Sequence, residues 1–509
     1  MKSIERFMKL IMKHPYLSAF AVCVLLNFYF AGGLEYVPHF LLWVKPPKYL
    51  GLGLLIISAL YFLGNRKENQ DGYNAFFLIT SGFLVKLYYV LKTSIYVRQH
   101  DVDVFGGETG HCGYIEYILY NHKLPDFDVS TRWQFYHPPL HHILSAVWIF
   151  INEHIFRFGY DKSRESLQML TLFYSICIII TAYKILKEFK LSGRELLMGL
   201  LIISFHPTFI LFSGSINNDV LSVLFIMLAL LAAIKWYQDK TMWNIVKVAL
   251  CIGFGMMTKI SVGILAIPVG LLFILCFIKD VRKDKKKNLM TYIKQFAVFA
   301  CISFPLGLWF GIRNFIKWHI PLMYVQPMTE SDWQSVGDMS FLQRITDFSA
   351  RQWGTPYTCW KWAGGYNEYN PLISLLKTSV FGEFAYDINI YFAQTIMWCG
   401  VMLALFGVAA IVITLLKKDR VNRLPLICLA IMHLAFIISY YKMCYDYPFV
   451  CSMNFRYLTP TVVTGALCIG LAMKDLSDYK MAGKVWNYSV YVVGLVLAIF
   501  SAILYTILI

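Results

Sequence analysis

Charge is what this 509-residue chain has least of. Only 15% of its residues are Asp, Glu, Lys or Arg, against about 25% in a soluble globular chain. The shortage excludes a water-soluble globular enzyme. Disorder is excluded as well, because 58% of the residues are hydrophobic and a disordered chain needs low hydrophobicity. The 12 cysteines form no C-x-x-C pair and no zinc spacing. Most lie inside apolar runs, where a buried thiol acts as a small hydrophobe. Cys444 and Cys451 flank one expected external loop and leave a disulfide open. No tandem repeat is visible, and no soluble domain can be cut out. Lys2, Arg6, Lys9 and Lys13 lead into the apolar run 16–34 with no small-residue cleavage site after it. That run is expected to be a first membrane span rather than a signal peptide.

What the chain does have is apolar sequence in long runs. A helix needs about 20 apolar residues to cross the hydrocarbon. The candidate runs are 16–34, 49–63, 75–91, 167–186, 196–212, 220–237, 245–257, 262–278, 296–312, 390–416, 424–440, 458–473 and 486–508. The expected fold is therefore an all-α integral membrane protein with about 13 transmembrane helices. The short run 245–257 could pair with the next as a re-entrant hairpin without changing sidedness. The net charge of +16 comes from basic residues in short turns between apolar runs, which is not a nucleic-acid face. With a cytoplasmic N-terminus every dense basic cluster falls inside, including Arg282-Lys283-Asp284-Lys285-Lys286-Lys287.

Two long loops, 92–166 and 313–389, then face outside, and connections of that length are usually functional. The apolar stretch 139–156 in the first is expected to lie as a juxtamembrane helix at the outer interface, since counting it as a span would put the lysine run outside. The expected organisation is 1–91 N-terminal helices, 92–166 first external loop, 167–312 core helices, 313–389 second external loop and 390–509 C-terminal helices.

Ionisable groups near a membrane are costly and mark function by default. With this orientation Asp101, Asp103, His137, His141 and His142 lie in the first outer loop. Asn217, Asn218 and Asp219 lie at an outer turn, Lys259 at the tip of the short hairpin, and Arg313 and Arg456 at outer span ends. All converge on one face, as one outward polar cavity at the membrane boundary would require. A carboxylate there can deprotonate a hydroxyl, and Arg and Lys can neutralise a phosphate as ligand and as leaving group. The set suits glycosyl transfer from a lipid-phosphate sugar, where the good leaving group makes one base sufficient.

The segment Gln134-Phe135-Tyr136-His137-Pro138-Pro139-Leu140-His141-His142, with Arg98-Gln99-His100-Asp101 and Gly110-His111-Cys112-Gly113-Tyr114-Ile115 upstream, resembles GT-C membrane glycosyltransferases. It is most similar to the protein O-mannosyltransferases (glycosyltransferase family 39), and more distantly to the aminoarabinose transferases of lipid A, which carry Lys-Pro-Pro-Leu. The strong resemblance covers about 98–145, with weaker matches at 214–219, Thr258-Lys259, Arg313-Asn314 and Phe455-Arg456-Tyr457. It implies a polyprenyl-phosphate sugar donor, an acid in the first external loop as base, and inverting single displacement. The family's Asp-Glu pair aligns by length with Gly107-Glu108, whereas the aspartates here sit earlier. The base is therefore open among Asp101, Asp103 and Glu108, with Asp101 favoured because it leaves the third span beside Arg98 and His100.

The resemblance makes Lys259, Arg313, Arg456 and His137 the candidates for the donor phosphate, His137 standing where the lipid A enzymes carry a cation. His100, Glu108, His111, Tyr136, His141, His142, Asn218 and Asp219 are substrate-binding or supporting candidates. Plainer readings stand beside these. Asp101 could be a solvated loop acid paired with Arg98, and His137 a helix-start residue packed beneath Pro138. Asp219 could belong to an N-cap cluster, and the three cations could snorkel to headgroups. No cofactor is firmly expected, and a divalent metal at Asp101 or Asp103 stays open. The aromatic stretch 353–362 could stack a sugar or prenyl chain, or anchor its loop. Expected partners are the donor, an acceptor (protein hydroxyl, lipid or cell-envelope glycan) and membrane lipid, in a bacterial plasma membrane. The contrasting class is a transporter or flippase, for which inverted repeats and mid-bilayer polar groups are the signature. A polymer-assembly protein that binds a lipid-linked substrate without transfer is a third.

Overall fold

The computed structural model describes residues 10–32, 51, 53–59, 61, 70–329, 332–363 and 365–508. The helices used below are, in chain order, α1 (Pro15–Asn27), α2 (Gln70–Lys92), α3 (Gly110–Asn121), α4 (Leu140–His154), α5 (Leu167–Glu188), α6 (Gly193–Phe205), α7 (Asp219–Gln238), α8 (Met242–Thr258), α9 (Ala266–Lys283), α10 (Lys285–Trp318), α11 (Pro371–Phe381), α12 (Ile390–Leu416), α13 (Arg423–Asp446), α14 (Pro460–Leu476) and α15 (Lys480–Ile503). The all-α expectation is met.

Eight helices are long and apolar enough to cross a membrane, or up to ten if two bent pairs each count as one span, among the described residues. The thirteen apolar runs resolve as follows. Two, 196–212 and 458–473, are bent by 45° and 46°, at His206-Pro207 and Thr459-Pro460, where proline starts a new helix and cannot continue the old one. The runs at 16–34 and 245–257 form shorter apolar helices, and 49–63 is described only in part, with 51, 53–59 and 61 helical. The other eight are the eight long helices. The chain is thus an integral membrane protein by its helices.

Two compact units are formed, residues 1–188 with 212–326, and residues 189–211 with 327–509. In the first, α5 packs against α1, α2 and α7, and the series continues from α7 to α8, from α8 to α10 and from α10 to α9. The pair α3 and α4 pack on each other, and α4 also meets α5 and α8. Helix α4 buries His141, His142, Ser145, Trp148, Ile149 and Asn152, while Leu144, Val147 and Phe150 stay exposed. One face is therefore built into the unit, and the opposite face is apolar and uncovered. Asn152 accepts a 2.7 Å hydrogen bond from Asn27 of α1, a buried polar tie at the base of this face. In the second unit α14 is central: every residue from Pro460 to Met473 is buried, with α6, α12, α13 and α15 around it. Lys377 on α11 and Glu368 form a 2.7 Å ion pair with both side chains fully buried.

All twelve cysteines are free thiols. The Cys444–Cys451 disulfide left open by the sequence is not formed. The two thiols face different neighbours: Cys444 Sγ lies 3.7 Å from the Ser452 carbonyl and Cys451 Sγ 3.9 Å from Met328 Sδ.

Candidate active site

The acid loop between α2 and α3 has an unusual backbone. Arg98, Asp101 and Asp103 have φ of 56°, 62° and 56°, and Gly106 and Gly110 have φ of 85° and 70°. Aspartate enters the left-handed region more readily than most residues, yet each such non-glycine still costs about 1 kcal/mol. The loop is held by the start of α3. The His111 and Cys112 amides, which have no acceptor inside the helix, donate to the Asp101 and Val102 carbonyls at 3.1 and 2.9 Å. The Thr109 hydroxyl donates to Asp103 Oδ2. A Cβ added at Gly110 would lie 2.4 Å from the Val102 carbonyl oxygen and 2.5 Å from Asp103 Cβ. Only glycine lets the loop lie this close to the helix. Glu108 points away: its side chain is 82% exposed and 3.7 Å from Arg132.

Four histidines pack beneath this loop. His111 stacks on His137 and His142, with ring centroids 5.6 and 5.1 Å away, and His111 Nδ1 is 2.9 Å from His142 Nε2. Tyr114 stacks on the His142 ring at 4.0 Å. Tyr136 lies 4.6 Å from the His137 ring and 5.2 Å from Tyr324. His141, one residue before His142 on α4, turns to the Ile216 carbonyl at 2.8 Å. His141 and His142 are fully buried rather than facing headgroups. Burial pushes the His141 imidazole down to about 4, against the opposing pull of the Ile216 bond and the Asp219 charge. Burial, then the neighbouring His111, His141 and His137, hold His142 well below the usual histidine range.

Both rings are neutral in the folded chain, whereas an unfolded histidine titrates near 6.5. Stability should be complete above pH 6.5 and fall as pH drops toward 4, by about 1.4 kcal/mol per pH unit for each ring. Thermal melting in detergent should show a midpoint declining between pH 7 and 5, and His142→Phe should reduce that decline. A wild-type midpoint that does not move with pH would contradict the buried neutral pair.

The turn before α7 meets the same cluster. Gln99 grips it twice, donating to the Gly214 carbonyl at 2.7 Å and accepting the Ile216 amide at 3.0 Å. Asn217 Nδ2 reaches the His100 carbonyl at 3.5 Å and Asp219 Oδ2 at 3.2 Å. Lys259, at the end of α8, forms an ion pair with Asp219 Oδ1, and Asn218 Nδ2 donates to the Thr258 carbonyl at 3.2 Å. The Asn217-Asn218-Asp219 cluster sits at the start of α7. Asn218 holds the cap position without a side-chain bond to the helix, Asp219 is the first helical residue, and Asn217 Oδ1 takes the Asp219 amide at 3.1 Å.

Within the first unit, then, His100, Asp101, Asp103, His111, His137, His141, His142, Asn218, Asp219 and Lys259 belong to one continuous network. Glu108 stands outside it. Arg313, on α10, turns to the Pro125 carbonyl and to Asn314 Oδ1 at 3.0 Å, over the Trp318 ring at 4.9 Å. Arg456 belongs to the second unit, buried, with Nη2 donating to the Tyr457 hydroxyl at 2.8 Å. No group of three or more His, Cys, Asp or Glu side chains is arranged to hold a metal ion, among the described residues. Asn217, grouped with the outer polar residues by sequence, joins the His100 carbonyl, whereas the roles of Gln99, Glu116 and Arg164 were not singled out. The partners of these last three are 115, 10 and 48 residues away, and no local pattern announces such bonds.

A family model described as dolichyl-phosphate-mannose-protein mannosyltransferase matches residues 139–309, about a third of the chain, from the Pro-Pro step before α4 into α10. The resemblance read from His-Pro-Pro-Leu is thereby borne out: the chain is similar to GT-C-type membrane glycosyltransferases of the protein-mannosyltransferase kind. The acid loop precedes the matched segment. No curated protein matches the chain. Among solved structures it is similar to the oligosaccharyltransferase of Archaeoglobus fulgidus in its apo form, with TM-score 0.46 and 14% identity over 84% of this chain and 55% of that one. The chain thus spans about half the length of that protein. It is also similar to ArnT from Cupriavidus metallidurans bound to undecaprenyl phosphate, with TM-score 0.36 and 12% identity over 79% of this chain and 78% of that one.

Proposed function

We propose that this protein transfers a sugar from a polyprenyl-phosphate donor to a hydroxyl-bearing acceptor at the outer face of the membrane. The observation that carries the reading is the unbroken set of contacts from the acid loop, through His111, His142 and His141, to Asp219 and Lys259. It ties the backbone of the acid loop to the Asp219–Lys259 pair, which lies within the segment matched by the dolichyl-phosphate-mannose-protein mannosyltransferase model. The positive-inside distribution of lysine and arginine supports the outer placement. The exposed apolar flank of α4 suits a helix lying at the bilayer boundary, where a lipid-linked donor would enter sideways.

In the reaction, the Asp101 carboxylate takes the proton of the acceptor hydroxyl. The acceptor oxygen attacks the anomeric carbon from the side opposite the phosphate, the sugar–phosphate C–O bond breaks, and the anomeric configuration inverts. Polyprenyl phosphate leaves with the bonding pair, and Lys259 neutralises the charge that develops on it. Asp219 keeps the Lys259 ammonium in place before the phosphate arrives. His137, Arg313 and Arg456 are the other cation candidates, and Asp103 is the alternative base.

The test is purified protein incubated with a panel of polyprenyl-phosphate sugars and a panel of hydroxyl-bearing acceptors (protein, lipid and glycan), followed by mass spectrometry of donor, glycosylated acceptor and released polyprenyl phosphate. Consumption of at least one donor with equimolar release of polyprenyl phosphate is expected. No consumption across the panel by folded protein would overturn the reading in favour of transport. If Lys259→Ala and Arg456→Ala both left donor affinity unchanged, the phosphate assignment would fail.

A further inference from the structure

The left-handed residues of the acid loop persist only where surrounding structure over-determines them, and the α3 amides hold only its first half, at Asp101 and Val102. The apex is held elsewhere. The Gly106 amide donates to Glu116 Oε2, and Glu116 lies one helical turn beyond Cys112 on α3, facing the loop. Its second oxygen, Oε1, accepts from the Tyr160 hydroxyl at 2.9 Å and from Arg164 Nη2 and Nε at 3.0 and 3.3 Å. Arg164 is only 1% exposed. It also pairs with Glu153 of α4, donates to the Tyr120 hydroxyl at 2.6 Å, and lies 3.6 Å over the Tyr160 ring.

A buried guanidinium shared by two carboxylates is a poor source of stability, since apolar side chains of the same volume often do as well. What it supplies is a single geometry. The planar fork and its acceptors fix where Glu116 Oε1 can lie, and the rigid carboxylate then fixes Oε2 under Gly106. We infer that Glu116 is a positioning residue for the acid loop, held in register by Arg164, so that α3, α4 and the short helix Tyr160–Glu165 together set the location of the Asp101 and Asp103 carboxylates. The inference rests on the proposed role of those aspartates. It adds that their alignment depends on a charge network that touches no substrate.

The experiment is hydrogen–deuterium exchange of the full-length protein, read by mass spectrometry, alongside kcat and donor KM from the donor panel. Glu116→Ala should speed amide exchange across 101–110 by roughly 10-fold or more while leaving 141–152 unchanged. It should lower kcat roughly 10- to 100-fold with donor KM changed less than about threefold, because a misplaced base costs rate rather than donor binding. Tyr160→Phe, which removes one hydrogen bond to Glu116 and little else, should move both readouts the same way by a smaller factor and serves if Glu116→Ala does not fold. Glu116→Gln, which keeps an acceptor for Gly106, should recover part of the loss. Unchanged exchange at 101–110, or an equal rise in both segments, overturns the positioning role. So does local loosening with full turnover. If Asp101→Asn and Asp103→Asn are equally silent in that last case, the fault lies with the base assignment; if either is inactive, it lies with Glu116.

Discussion

Replacing Asp101 by Asn should lower sugar-transfer turnover by roughly 10²- to 10⁴-fold, the range expected when a general base is removed, with the thermal midpoint unchanged. Asparagine makes a clean test because it shares aspartate's tolerance of the left-handed region, so the φ of 62° at this position survives the substitution. The His111 amide bonds the backbone carbonyl of residue 101, which the substitution also preserves. Only the charge and proton affinity change. Asp103→Asn keeps an acceptor for the Thr109 hydroxyl and should cost less. Glu108→Gln should stay within about threefold of wild type, since that side chain points to solvent and a surface pair is worth little. Full collapse at Asp103 with activity kept at Asp101 would transfer the base to Asp103. Wild-type rates for both would end the base assignment.

Lys259→Met should have the second large effect, and on two axes. Asp219 and Lys259 are both largely buried, with side chains 6% and 16% exposed. Removing one member of a buried ion pair costs about 3 kcal/mol, because the other charge stays in a poorly solvating site. The melting midpoint should therefore drop, and donor KM should rise roughly 10-fold or more if the ammonium also meets the phosphate. Adding Asp219→Asn removes the stranded charge. The double variant should recover most of the thermal stability and none of the donor affinity. If donor KM recovers together with stability, Lys259 is a structural cation. If KM never moves, it plays no part in donor binding.

Fold class and the placement of apolar runs were legible in the sequence because hydropathy is a local, additive signal. The bends at Pro207 and Pro460 lie inside runs that hydropathy alone joins, since it does not register the missing N–H. His137, His141 and His142 were legible as a group because they share a short segment. Their state was not. His111, which buries and pairs with His142, is brought there by the packing of α3 on α4. The Asp219–Lys259 pair links positions 40 residues apart, and Arg164 meets Glu116 at a separation of 48. Such pairs have no signature in spacing. Arg313 shows the same limit from the other side. Its partner is the backbone carbonyl of Pro125, a group every residue carries, so a sequence pattern cannot single it out. Cys444 and Cys451 are neighbours in sequence, but proximity along the chain does not aim two thiols at each other.

The bare first turn of α3 has a consequence for tracing relatives of this chain. Alignment by length selects Glu108, whose side chain is 82% exposed and turned to Arg132. Gly110 has no room for a side chain, since any larger residue there would collide with the very peptide it supports. A relative that keeps this close approach of loop to helix should therefore keep a hydrogen atom where a methyl group would otherwise be, and that position gives the register of the loop.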